Sequence, residues 1–429
     1  MKKALIVTYY WPPAGGPGVQ RVVRFVRYFR QFGWEPIVLT VKNGDYPAID
    51  ETLHKQLPEN LRIEKTDILE PYAIYRKFTG KSAEEKIPTF VLSGKSSDSK
   101  KDRLAKWVRG NIFIPDARIG WIPNAVRAGS KLIREENIDL IFATSPPHTV
   151  QLIAKKLAKR HKIPWVADLR DPWTEAFWAE EMKKSRLADA IDRKLERSVL
   201  QQADLITTVS EGLGKIFLQK GALACEVIHN GFEPKPPQPL KSDKFMLLFF
   251  GHLNKSQNPE TLFRSLCTLP DAIRENLKIV FVGRIFEGFA GLFEKFGQQL
   301  AIERRNYMPL DEVLAFARSA SILLHPMISA TYIEGVIGAK MFDYLSLQKP
   351  ILTLGEKNGI VREVLQETES GEIVEYADLQ GIADFVLEKY KIWQKNSFVL
   401  LDNSDKLSNY TTETNTLKLL NLFNALIGR

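Results

Sequence analysis

Cysteine is almost absent: Cys225 and Cys267 are the only two in 429 residues. Two thiols so placed make neither a disulfide framework nor a thiolate metal site. Histidine is scarce as well. The six are scattered, with no spacing that would build an imidazole metal site. No apolar run approaches the ~18 residues needed to cross a bilayer. The opening "MKKALIVTYYW" has the basic start of a secretory leader. Its apolar stretch is short, is broken by Tyr9, Tyr10 and Trp11, and precedes no small-x-small cleavage site. It reads as a buried first strand, and the expected compartment is the cytoplasm. Nucleic-acid recognition motifs and zinc fingers are also missing.

What is present is ordinary in amount and uneven in placement. Hydrophobic residues are 44% and charged residues 26% of the chain, as in globular proteins, and the length suits two or three domains. The net charge of +9 is not shared evenly. Residues 1–232 carry 38 Lys+Arg against 27 Asp+Glu, and residues 233–429 carry 22 against 24. The first half therefore faces a different partner from the second. A phosphate-bearing substrate or an anionic membrane surface fits that charge.

Strand-like runs alternate with helical patterns. "KALIVTY", "EPIVLTV", "IDLIFATS", "IPWVADLR", "DLITTVS" and "CEVIHN" alternate with helical stretches at 17–32, 121–136, 149–161, 185–202 and 211–219. Near-continuous apolar strands separated by helices predict an α/β fold with a doubly wound parallel sheet. The rhythm pauses at 230–243, where Pro234, Pro236, Pro237 and Pro239 exclude a helix interior or a central strand. It restarts with "KFMLLFFGH", "KIVFVGR", "SILLHP" and "PILTLG". The expected division is a first domain at 1–232, a linker at 233–243, a second domain at 244–408 and a final amphipathic helix at 409–429. Residues 76–109 interrupt the first domain with ten Lys+Arg and four Asp+Glu. They read as a surface insertion or as a contact with a membrane or anionic acceptor.

In open α/β sheets, ligands bind beyond the carboxyl ends of the strands, so the loops there carry the chemistry. The first, "TYYWPPAGGPGVQR", nearly makes a dinucleotide fingerprint. Arg21 stands where the third glycine belongs, and no acid ends the second strand, which argues against NAD. Gly15, Gly16 and Gly18 still let a backbone approach an anion at a helix start. Arg21 is near enough to that start to meet a ligand. "TSPPHTV" puts His148 before the next helix, either as a turn residue or facing a substrate hydroxyl. "ADLRDPW" crowds Asp168, Arg170 and Asp171 where an apolar strand opens. Charges there are either paired with one another or used on a substrate. "EGVIGAKMFDYLSLQKPIL" leads through Gly335 and Gly338 into a helix. Lys340 and Asp343 share a face of it, suited to a diphosphate and a ribose or to each other.

These pieces, taken with "TVSEGL" at 208–213, "IHNGF" at 228–232 and "FFGHLNKSQNPETLFRSL" at 249–266, resemble the GT-B glycosyltransferases of the retaining family 4 type. The resemblance runs over nearly the whole chain and rests on the order and spacing of the motifs together. It departs from the family in places. Asp343 stands for the second glutamate of the Glu-x7-Glu motif, and Glu334 lies one residue out of register. His252 and Gln257 stand where the family has Arg and Lys. Arg170-Asp171 replaces a His-Asp pair.

The resemblance implies two Rossmann-like domains facing a cleft. It also implies transfer of a sugar from a nucleotide diphosphate sugar to an acceptor hydroxyl, with retention at the anomeric carbon and no metal or other cofactor. Lys255, Arg284, Gly338 and Lys340 would meet the diphosphate and Asp343 the ribose. Glu334 would hold the sugar, and Gly15, Gly16 and Gly18 would close over the donor. Asp171 and His148 would align the acceptor, with Arg21, Asp168 and Arg170 on the acceptor side. The acceptor would be a glycan or lipid-linked, in surface-polysaccharide or lipopolysaccharide synthesis, at the inner face of the cytoplasmic membrane. The alternatives are a nucleotide-sugar 2-epimerase of the same fold or a non-catalytic nucleotide-binding relative. No nucleic acid partner is expected.

Overall fold

A computed structural model describes residues 1–46, 48–69, 107–108, 110–175, 184–234, 240–328 and 337–428. Glu334, Gly335, most of the basic insertion and the prolines at 236, 237 and 239 lie outside the described residues. The chain forms two compact units. Met1–Asn230 joins with Thr412–Arg429, and Gly231–Thr411 forms the other. The last helix is thus part of the first unit. The two crossings of the chain run side by side, with the Phe232 N–H donating to the Tyr410 carbonyl at 3.2 Å.

The first unit is built on a parallel sheet. Its strands are β1 (Lys2–Val7), β2 (Trp34–Val41), β3 (Arg62–Thr66), β4 (Leu140–Ser145), β5 (Trp165–Leu169), β6 (Leu205–Thr208) and β7 (Cys225–Val227). Among the described residues they are ordered β3-β2-β1-β4-β5-β6-β7. The order turns between β1 and β4, which is where a doubly wound sheet opens for a ligand. Helices cover both faces: α1 (Pro17–Phe29), α2 (Ile122–Glu136), α3 (Thr149–His161), α4 (Arg186–Leu200) and α5 (Glu211–Gln219).

Burial explains the apolar runs. In β1, Leu5 and Val7 pack with α2 and α3, while Ala4 and Ile6 pack with α1. Alternate residues of a strand face opposite ways, so both faces need apolar cover. The helix expected over 17–32 stops at Phe29. A 3₁₀ turn, Arg30–Phe32, ends at Gly33 with φ 82°, a conformation that glycine adopts without strain.

The second unit repeats the plan. Its strands are β8 (Phe245–Leu253), β9 (Leu277–Ile285), β10 (Ile302–Arg305), β11 (Ile322–Pro326), β12 (Ile351–Leu354) and β13 (Gly371–Val374). They are ordered β10-β9-β8-β11-β12-β13 among the described residues, and every pairing is parallel. Helices α6 (Glu260–Cys267), α7 (Ala290–Gly297), α8 (Leu310–Ala317), α9 (Ala339–Leu345), α10 (Ile360–Thr368) and α11 (Leu379–Asn396) flank it. The terminal helix α12 (Thr412–Ile427) returns to the first unit, where Leu419, Leu420 and Phe423 are buried. The Phe423 ring meets Phe29, Trp34 and Phe142 at centroid distances of 6.2, 5.4 and 5.5 Å.

Candidate active site

In the first unit the predicted residues gather at the carboxyl ends of β1, β4 and β5. Asp168 is fully buried and Arg21 is 2% exposed. Arg21 grips Asp168 with two hydrogen bonds, Nη2 to Oδ1 at 2.9 Å and Nε to Oδ2 at 3.2 Å, and its Nη1 reaches Asn230 Oδ1 at 3.2 Å. Thr144 Oγ1 and Thr207 Oγ1 donate to the same carboxylate at 2.7 and 2.9 Å. Burial alone would raise the Asp168 pKa. The Arg21 charge and these donors outweigh it and hold the carboxyl below its ordinary value. The guanidinium also lies 4.7 Å from the centre of the Phe25 ring. This pair ties α1 to three strands.

Arg170 does a second piece of bracing. Its Nη1 donates to the Gly18 carbonyl at 2.6 Å, its Nε to the Ser145 carbonyl at 3.0 Å, and its Nη2 to the Pro146 carbonyl at 3.1 Å. One guanidinium thus fastens the β1–α1 loop to the β4–α3 loop. A side chain on Gly18 would collide with it, since a Cβ there would lie 2.9 Å from Nη1. Gly16 has φ 103° and ψ 171°, a region that essentially only glycine occupies. The Gly15 N–H is already committed to the Ala48 carbonyl at 2.9 Å. The opening loop is therefore braced from both sides.

His148 and Asp171 differ from that scaffold. His148 is 8% exposed and stacks on Trp173, with ring centroids 4.3 Å apart and planes 9° from parallel. Its buried Nδ1 has no hydrogen-bond partner among the described residues. Burial, aided by the Lys184, Arg170 and Lys220 charges, lowers its pKa to about 3, so the ring is neutral. Trp173 is fixed in turn by Nε1–H donating to Asp192 at 2.8 Å. Half-buried Asp171 has its pKa raised by burial against the opposing pull of Arg170. Gln151 was not among the predicted residues. It is fully buried and donates to the Ala143 and Asp168 carbonyls, at 2.9 and 3.1 Å, holding the ends of β4 and β5 together.

In the second unit β8 and β9 end in register, Gly251 beside Gly283 and His252 beside Arg284. Gly251 has φ 124°, and a Cβ there would lie 2.7 Å from Lys340 Cε and Nζ. The bare glycine thus makes room for the lysine. Lys340 Nζ sits 4.1 Å from the centre of the Phe249 ring. Burial lowers its pKa to about 8, with Asp343 pulling the other way. Asp343 is 7% exposed, whereas Arg284 and Lys255 are exposed. The His252 pKa is lowered by partial burial and by the Arg284 and Lys340 charges. His325, at the end of β11, was also missed. Burial and the Lys340 charge bring its pKa down to about 3. Tyr344 pins α9 in place, its hydroxyl donating to the Leu324 carbonyl at 2.9 Å. Gln257 donates to the Pro326 carbonyl and accepts from the Asn254 N–H, so it is bound to the backbone. Gly338 has ordinary extended backbone and open space where a Cβ would stand, so the fold itself does not require glycine there.

The strand ends of one unit thus hold a braced loop beside a neutral histidine and a carboxyl. Those of the other hold Lys340, Arg284 and two histidines whose pKa values are lowered. Two family models match successive stretches of the chain. The family model described as Glycosyltransferase Family 4 matches residues 16–235, just over half of the chain. The model described as Glycosyl transferases group 1 matches residues 232–396. No curated protein matches. Among solved structures, HepE from Anabaena in complex with UDP superposes with a TM-score of 0.63 at 15% identity, over 99% of this chain and 100% of that one. Sucrose-phosphate synthase from Thermosynechococcus elongatus gives 0.62 at 13%, over 100% of both chains. The apo form of WaaB, a lipopolysaccharide outer core galactosyltransferase, gives 0.57 at 13%, over 99% of this chain and 100% of that one. The chain belongs to glycosyltransferase family 4 and is a glycosyltransferase of the GT-B fold.

Proposed function

We propose that the protein transfers a sugar from a nucleoside diphosphate sugar to an acceptor hydroxyl, with retention at the anomeric carbon. The observation that carries this reading is the cationic cluster at the ends of β8 and β9. Arg284 stands beside His252 in the β8–β9 register, and Lys340 fills the space a Cβ on the adjacent Gly251 would take. A nucleoside diphosphate leaving group gains negative charge as its bond to the sugar breaks, and fixed cations stabilise that charge. Burial lowers the Lys340 pKa to about 8, and a bound diphosphate opposes that shift by favouring the charged form. Asp343 takes the ribose hydroxyls, and Gly338 lets the backbone near the phosphates. Glu334 takes the sugar by resemblance to the family motif. HepE was solved with UDP, which makes UDP the first nucleotide to try.

Asp171 and His148 are the acceptor-facing groups in this reading. A carboxyl with a raised pKa can take a proton from a hydroxyl, and a neutral imidazole can accept a hydrogen bond from it. No protein nucleophile is assigned. Two fixed cations meet the diphosphate, so we read the transfer as metal-independent. A reaction that stops in EDTA would overturn that part. The likeness to WaaB favours a glycan or lipid-linked acceptor of the cell surface.

The test is calorimetric titration with UDP, GDP, ADP and NAD, followed by product analysis. One nucleoside diphosphate should bind, and Lys340→Ala should weaken it at least tenfold. Binding of NAD alone refutes the reading. Release of a 2-epimerised sugar with no acceptor consumed makes the protein an epimerase instead. Proton NMR of the glycoside reports whether the anomeric configuration is kept.

A further inference from the structure

Three tyrosines crowd the carboxyl end of β1. The Tyr9 and Tyr10 ring centroids are 5.2 Å apart, and the Tyr46 ring lies 6.1 Å from the first and 6.4 Å from the second. The Tyr9 hydroxyl accepts from the Asp45 N–H at 3.0 Å, and the Tyr46 hydroxyl accepts from the Gly44 backbone. Half-buried Tyr10 is the exception. Its hydroxyl makes no hydrogen bond among the described residues. A phenol drawn out of water loses hydrogen bonds unless a partner replaces them.

The surroundings place this hydroxyl beside the acceptor-facing groups. It lies within reach of the Asp116 and Arg170 charges. Asp116 holds the residue that follows His148, accepting from the N–H and the hydroxyl of Thr149 at 2.9 and 2.7 Å. Arg170 interacts with both Tyr10 and Asp171. The half-buried Asp171 carboxyl also has no hydrogen bond or ion pair among the described residues. A phenol and a carboxyl are thus left open at one strand end.

The cations there are matched by acids. Arg21 grips Asp168, and Arg118 pairs with Asp45 at 3.3 Å. Lys184 and Lys220, whose charges reach His148, pair with Asp192 and Glu196. Arg170 holds three carbonyls and is attracted by Asp168 and Asp171. An arriving anion finds its countercharge already answered. A neutral polyol finds a phenol and a carboxyl for its hydroxyls and tyrosine rings for its C–H face.

We propose that Tyr10 binds the acceptor and that the sugar carrying the attacking hydroxyl is uncharged. The inference deepens the transferase reading and rests on it for placing the acceptor at this strand end.

The experiment is saturation-transfer NMR and titration of the full chain, with and without UDP. The probes are the methyl glycosides of glucose, galactose and mannose and their uronide counterparts. At least one neutral glycoside should bind, at least about fivefold more tightly than its uronide. Tyr10→Phe keeps the ring and removes only the hydroxyl. It should weaken that glycoside about fivefold and leave circular dichroism, Tm and UDP titration unchanged. Failure of every neutral glycoside to bind overturns the proposal, as does a uronide that binds equally well or better. Tyr10→Phe that binds the glycoside like the natural chain also overturns it. A nucleoside diphosphate bound without any neutral glycoside sinks this inference alone, whereas NAD bound alone sinks the transferase reading whatever the glycosides do.

Discussion

Replacing Arg21 by methionine should destabilise the first unit more than it changes any Michaelis constant. Asp168 is fully buried, and Arg21 supplies two of the four hydrogen bonds that hold its charge. Methionine keeps most of the stem that packs near Phe25 but leaves the carboxylate with two threonine hydroxyls. Removing one partner of a buried ion pair typically costs about 3–5 kcal/mol, because the other charge remains buried and uncompensated. A unit of this size loses about 2–4 °C in Tm per kcal/mol, so its calorimetric transition should fall by about 6–20 °C. Arg21→Met with Asp168→Asn should recover much of that loss, since no naked charge then remains.

The pH dependence separates this account from simple loss of packing. In the natural chain the folded Asp168 pKa lies below the ordinary 3.8. Its contribution to stability is present above 3.8 and is lost as pH falls through the lower folded value. In Arg21→Met, burial is no longer outweighed and the folded pKa rises above 3.8. The variant then loses stability as pH climbs from about 4 toward 7. The gap between the two proteins should be small near pH 4 and largest at neutrality. A gap that does not vary with pH refutes the reasoning. So does a Tm within about 2 °C of the natural chain together with a raised KM for the acceptor, which would make Arg21 a substrate contact.

Gly18→Val should displace the Arg170 guanidinium and lose its bond to the Gly18 carbonyl, destabilising the first unit by about 1–2 kcal/mol; transfer should fall while titration of nucleoside diphosphate is unchanged. Gly16→Ala, at φ 103°, should cost about 1–3 kcal/mol by thermal unfolding through backbone strain alone. Asp171→Asn should lower kcat and remove an acidic limb of the pH–rate profile that lies above the ordinary carboxylate range; an unchanged profile excludes it as the acceptor's proton partner. Lys349 is 2% exposed, donates to the Val399 carbonyl at 2.8 Å, and has its pKa lowered by burial to about 8. Its charged form is disfavoured by the fold, so the second unit should gain stability as pH rises from 8 toward 10.5, and Lys349→Met should flatten that rise in calorimetry.

The central strands and most helices were legible because burial on both faces leaves apolar runs that turns interrupt. The helices at 149–161 and 211–219 have the ends that the sequence suggested. A proline pair precedes the first, and the Ser210 side chain accepts from the Leu213 N–H at the start of the second. Strands β3, "RIEKT", and β10, "IERR", were not foreseen. They are edge strands, exposed along one side and charged, so they leave no apolar signal. The site was legible only at the level of which loops matter. Asp168 was visible as a charge closing an apolar strand, but its partner lies 147 residues away. That partnership follows from the sheet order β1-β4-β5, which no local pattern carries. The acceptors of Arg170 are backbone carbonyls, which every sequence possesses. His325 closes the apolar run "SILLHP" with no spacing relation to Lys340.

Cations near the strand ends meet two different surroundings in the two units. In the first unit every guanidinium nitrogen of Arg21 and of Arg170 donates to an internal acceptor, which leaves each side chain two of its five N–H donors. In the second unit Arg284 is exposed with no hydrogen-bond or ion-pair partner among the described residues, and Lys340 lies over an aromatic ring at a depressed pKa. A cation already satisfied gains little from an arriving anion. One held over a ring and partly desolvated gains much. On the proposed reading, then, the diphosphate is met not by the basic excess of the first 232 residues but by Arg284 and Lys340 of the near-neutral second half.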